Sequence, residues 1–201
     1  MSPQAVILNI AVVTGIVGII VYWVRRFAVF RGYKAIEPDV LKVAEALKSH
    51  AVRQGRDVVV SGDYGGAPTI VRFSQRVETP GLDIQMRVPA TFNFTLMPKA
   101  VPMQGEGRVL MRTGSAALDR KFNARTDYPM EFRMFAGGPA GWANLEKVCC
   151  SSQAGLLLKR RTLRLTELTI PHFTAGHVLE HLQAMKALAQ RIDDMPGASG
   201  I

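Results

Sequence analysis

The sequence predicts an α+β domain with a mostly antiparallel sheet and packing helices, preceded by one transmembrane helix. Three observations predict it. A charge-free run of twenty residues, Ala5 to Val24, stands near the start. Runs of alternating apolar residues then lie between helical stretches, the order expected of α+β architecture. The apolar content, 48% of 201 residues, is too high for a disordered chain, and 2 cysteines, 18 glycines and 11 prolines fit neither a disulfide scaffold nor a collagen-like repeat. The expected division is an anchor with a basic juxtamembrane segment over 1–34, a cytoplasmic domain over 35–194 and a tail over 195–201.

The span comes first. As an α-helix its twenty residues cover about 30 Å, the thickness of a hydrocarbon core. Tyr22 and Trp23 fall at headgroup level, and Arg25, Arg26, Arg31 and Lys34 follow. No charged side chain precedes the run. This asymmetry places the short N-terminus outside and the domain in the cytoplasm, at the cell's inner (plasma) membrane. A cleaved signal peptide would carry its basic residues before the apolar run, and a core helix would show a polar stripe. Ala11 with Gly15, and Thr14 with Gly18, put small residues four apart, which lets a second helix approach closely in lipid.

Pro38 with Asp39 predicts a helix start, running to about Arg53, with Val40, Leu41, Ala44, Leu47 and Ala51 on one face. Strands are expected at Asp57–Ser61 and Thr69–Arg76, joined by the turn cluster Gly62 to Pro68, with a second turn at Thr79-Pro80-Gly81. Leu82–Val88 and Thr91–Met97 alternate and are bounded by Pro89 and Pro98. Glu106–Arg112 and Lys121–Arg125 are shorter candidates. Two short helices, Asp127–Phe135 and Pro139–Ser151, are split by Gly137-Gly138, with Asp127 as an N-cap. Gly155–Lys159 and Thr162–Leu168 form a hairpin around Arg160-Arg161. Thr174 caps a last helix to about Asp193, with Val178, Leu182, Met185, Ala189 and Ile192 as its core stripe.

Among motifs, His177-Val178-Leu179-Glu180-His181 is the sharpest. Two histidines four apart on a helix share a face and can bind Zn²⁺, with Glu180 as general base. In those residues it is similar to the inverted zinc-peptidase motif, which takes a further Glu from a helix downstream. No Glu follows His181 here; Asp193 and Asp194, the only later carboxylates, sit where the helix is ending, and His172 could supply a third nitrogen ligand if Phe173 to Gly176 bend back. The favoured reading is a surface helix with His beside its apolar stripe, and no cofactor is expected. Cys149-Cys150 reads as a buried reduced pair, since adjacent cysteines bridge poorly. The glycine clusters at 62–66 and 136–141 lack the residues that complete a phosphate loop and read as turns.

All 25 basic and all 16 acidic residues follow Val24, so the domain side carries the whole +9. Charge concentrates beneath the span and at Lys159, Arg160 and Arg161. Both groups suit anionic lipid or an acidic partner. Nucleic acid is not an expected partner, because no recognition helix, zinc finger or aromatic–basic interleaving is present.

The span with Arg25-Arg26, the segment Lys121-Phe122-Asn123 with Thr126-Asp127-Tyr128-Pro129, and the hairpin-to-helix ending from Gly155 together resemble bacterial single-pass membrane-anchored proteins with a cytoplasmic α+β domain. That resemblance implies no particular activity. The expectation is an accessory or scaffold subunit of a larger membrane complex, a non-catalytic protein binder. Its partners would be the bilayer and either other membrane subunits or further copies of itself through the span. The alternatives are a metal-dependent hydrolase using the His177–His181 helix and a peripheral sensor of anionic lipid.

Overall fold

The computed structural model describes residues 3–75, 80–101, 109–149, 154–168 and 174–195. Nine strands form one sheet in the order β1-β2-β3-β4-β9-β8-β5-β7-β6, with every pairing antiparallel. The strands are β1 (Ala51–Gln54), β2 (Asp57–Tyr64), β3 (Ala67–Gln75), β4 (Pro80–Arg87), β5 (Phe94–Pro98), β6 (Val109–Met111), β7 (Phe122–Thr126), β8 (Ala154–Lys159) and β9 (Thr162–Leu168). The helices are α1 (Pro3–Ala46), α2 (Ala116–Lys121), α3 (Pro129–Ala136), α4 (Gly138–Val148) and α5 (Ala175–Asp193). The meander β1–β4 and the group β5–β7 are joined by the late hairpin β8–β9, which inserts between β4 and β5.

Strand alternation puts one face of this sheet in the core. The register aligns Ala51, Val60, Val71, Ile84, Leu165, Leu156, Leu96, Ala124 and Met111 in one row across all nine strands. From Val60 to Ala124 each member of that row is buried. The opposite face of the meander presents Ser61, Ile70, Arg72, Asp83, Gln85 and Arg164, exposed or half-buried, with a bidentate pair from Arg164 to Asp83 at 2.7 and 3.1 Å. Helices α1, α3 and α4 all pack against α5, which also contacts β4. Phe132 and Phe135 of α3 close on Phe94, with ring centroids 5.5 and 4.8 Å away. Arg191 of α5 donates to the carbonyls of Met134, Phe135 and Gly137, satisfying the open end of α3.

Several expectations are corrected. The helix predicted to start at Pro38 is the last part of α1, which runs unbroken from Pro3 to Ala46 with Pro38 inside it. The packed face begins there nonetheless: Val40, Val43, Ala44 and Leu47 are buried, whereas Leu41 is 58% exposed. The helix stops at Ala46, and Ala51 to Gln54 become edge strand β1, because Ser49 and Leu47 bond the backbone of β2. Asp39 accepts from the backbone N–H of Ala175 at 2.9 Å, so it caps α5 rather than its own helix. Pro80 and Gly81 begin β4 instead of making a turn, while Thr79 lies outside the described residues. Of Glu106–Arg112 only Val109–Met111 is described as strand, and residues 102–108 lie outside. The N-cap of α3 is Tyr128, not Asp127, and makes no side-chain cap bond. The hairpin β8–β9 and the Thr174 cap follow their predictions, with Thr174 Oγ1 accepting from His177 N at 3.3 Å.

Among the described residues no helix is long and apolar enough to cross a membrane. Of the expected span Ala5–Val24, the side chains of 5–13, 16 and 24 lie outside those described. The large apolar side chains that are described there, from Val17 to Trp23, are exposed.

Candidate functional site

Alternation along β9 points Leu163, Leu165 and Glu167 to the core face. In cross-strand register Glu167 follows Val58, Phe73 and Leu82 and precedes Ala154. A carboxylate in such a row is costly unless it is paired. Glu167 is 4% exposed and meets two histidines of the helix above. Its Oε2 lies 2.8 Å from Nε2 of His177 and 3.2 Å from Nε2 of His181.

Helix α5 positions both rings. Its Thr174 and Asp39 caps fix the first turn, and residues 177 and 181 then fall one turn apart on the side turned to β9. The two Nε2 atoms are 3.1 Å apart. His181 is 2% exposed and lies within the apolar stripe, between Val178 and Leu182, rather than on a surface beside it. Its Nδ1 is buried and meets no hydrogen-bonding partner among the described residues. His177 is half-buried at the mouth of a groove of about 520 Å³ between α4 and α5, which Asn144, Lys147, Glu180 and His181 also line.

Two of the three histidines singled out from the sequence therefore converge, and the third donor is a residue the motif did not include. Glu180 is exposed on the groove and takes no part in the triangle. His172 lies outside the described residues. The missed residue left a signal in the strand pattern: an acidic residue on the apolar side of a well-alternating strand. Sequence could not tell that β9 runs beneath α5.

The other candidates are scattered. Thr14, Gly15 and Gly18 are exposed on α1, and a Cβ built on either glycine would meet nothing within 4 Å; the Ala11 side chain lies outside the described ones. The same holds for the Arg25, Arg26 and Arg31 side chains, while Lys34 is exposed. Arg160 and Arg161 are exposed at the β8–β9 tip, with φ of 48° and 61°, beside half-buried Lys159. Cys149 is buried at the end of α4, and Cys150 lies outside the described residues. Of the Gly62–Gly66 cluster, Gly62, Asp63 and Tyr64 belong to β2 and only Gly65-Gly66 make the β2–β3 turn, where Asp63 Oδ1 accepts from Gly66 N at 2.7 Å; Gly137 is the N-cap of α4.

No protein-family model, curated protein or solved structure matches this chain.

Proposed function

We propose that this chain is a single-pass membrane-anchored protein whose α+β domain acts by binding, as an accessory or scaffold subunit of a larger membrane complex. One observation carries the reading: Val17, Ile19, Ile20, Val21, Tyr22 and Trp23 on α1 are all between 46% and 60% exposed. A continuous apolar helical surface of this kind is unfavourable in water and favourable in lipid. The charge-free sequence from Ala5 to Val24 extends it to membrane length. The open positions Gly15 and Gly18, with Ala11 and Thr14, suit close approach of a partner helix. Arg25, Arg26, Arg31 and Lys34 then sit at the cytoplasmic headgroups.

The arrangement of the domain bears on the second basic group. Asp39 of α1 meets the start of α5, near the Glu167 end of β9, whereas Leu47 meets Gly62 and Asp63 at the opposite sheet end. Arg160 and Arg161 also sit at that opposite end, ~20 Å along β9 from where α1 enters. This placement favours an acidic protein partner for the hairpin tip over the bilayer that holds α1.

Alkaline carbonate extraction of membranes from cells producing the full chain tests the anchor. The protein is expected to stay in the pellet, and the pair Ile19→Asp with Ile20→Asp to release it. Wild-type protein in the supernatant would sink the reading.

A further inference from the structure

We propose that Glu167, His177 and His181 form a three-ligand site for a divalent transition-metal ion of the Zn²⁺ type, clasping α5 to β9. The first argument is the hydrogen-bond logic of the triangle. Its three edges are 2.8, 3.2 and 3.1 Å, each within bonding distance. A neutral imidazole Nε2 either donates one hydrogen or offers one lone pair. If both rings carry hydrogen at Nε2, the His177–His181 edge sets two donors face to face. If only one does, the other ring's lone pair faces the ionised carboxylate. A carboxyl proton relieves that contact only by discharging Glu167. A cation at the centre removes the conflict, because all three lone pairs then point at it.

Size and donor type agree. Zinc bonds to His and Glu of ~2.0–2.1 Å in tetrahedral geometry separate the donors by about 3.3 Å. The observed triangle needs to open by only a few tenths of an ångström. Two imidazole nitrogens and one carboxylate suit Zn²⁺, Co²⁺ or Ni²⁺, whereas Mg²⁺ and Ca²⁺ favour all-oxygen sets. The half-buried His177 and the α4–α5 groove provide an entry path and room for a water as fourth ligand. His181 Nδ1 lacks a protein partner to orient the ring, which lowers the affinity expected relative to sites with a complete outer shell. The site differs from the sequence motif in its third ligand: Glu167 of the neighbouring strand takes the place that His172 or Glu180 would fill.

The test uses the full chain in mild detergent, stripped with chelator and titrated with Co²⁺. One equivalent should give the visible absorption of a four-coordinate Co²⁺ ion, which Zn²⁺ then bleaches. His177→Ala should weaken binding by at least about tenfold, and Glu167→Gln likewise. Zn²⁺ should raise the melting temperature of the wild type and not of His177→Ala. Glu180→Gln should leave the titration unchanged. Folded wild type with no saturable spectrum would overturn the proposal, as would an unaltered titration in His177→Ala or its loss in Glu180→Gln. If Glu167→Gln does not fold, the half-exposed His177 variant carries the test. None of these outcomes depends on whether α1 enters a membrane.

Discussion

Arg160 and Arg161 both adopt left-handed backbone conformations in the two-residue β8–β9 turn. Both central residues of such a turn have positive φ, where Asn and Gly fit and arginine costs roughly 1–2 kcal/mol. Two arginines there place charge at the tip at the expense of stability, a pattern expected of a contact surface. The pair Arg160→Asn with Arg161→Gly should therefore stabilise the fold by about 1 kcal/mol while weakening any acidic partner's hold. Denaturant unfolding checks the first part, and unchanged or reduced stability would contradict it. Residue by residue, the chemistry was partly legible in the sequence. His177 and His181 announce themselves by spacing. Glu167 is hidden because its partners lie 10 and 14 residues away on another element. Asp39 reads with Pro38 as the start of its own helix, whereas it accepts from Ala175 N at the start of α5, 136 residues later.

At the scale of elements, period and punctuation serve best in the later strands and the last helix. The alternation of β3, β4, β8 and β9 and the Thr174 cap all lead to the observed structure. The failures fall where local signals are short or overruled. Strand β1 has four residues and no buried alternation, and the six-residue α2 is too short to show a helical period. Ser115 holds α2 in place by accepting from Leu118 N and donating to Glu146 of α4. Pro38 was overruled by length, because helix on both sides carries α1 past it. Its ring cannot donate to the carbonyl four residues before, a cost of up to ~3 kcal/mol against alanine. Pro38 is exposed, so Pro38→Ala removes no packing. The variant should raise stability by about 1–3 kcal/mol, read as a shift in melting temperature. No gain would mean that the helix breaks at Pro38 and that the parts before and after it are separately oriented.

Over the whole molecule, the core face of one nine-stranded sheet is covered by helices, and the packed end of a 44-residue helix belongs to that cover. The rest of α1 extends the domain's own helix, so whatever holds Val17 to Trp23 is coupled directly to Val40, Val43 and Leu47 in the core. Continuity of this kind passes orientation from one end of α1 to the domain more stiffly than a flexible linker would. Basic residues concentrate in two groups of the sequence, Arg25, Arg26, Arg31 and Lys34 on α1 and Lys159, Arg160 and Arg161 at the β8–β9 hairpin tip. A binding role in a membrane complex requires that the chain not travel alone. The direct measurement is the protein molar mass of the full chain solubilised in mild detergent, by light scattering corrected for detergent. A subunit of a membrane complex should show a mass of at least two chains or of one chain with a co-purifying partner; a stable particle of 22.0 kDa would overturn that role.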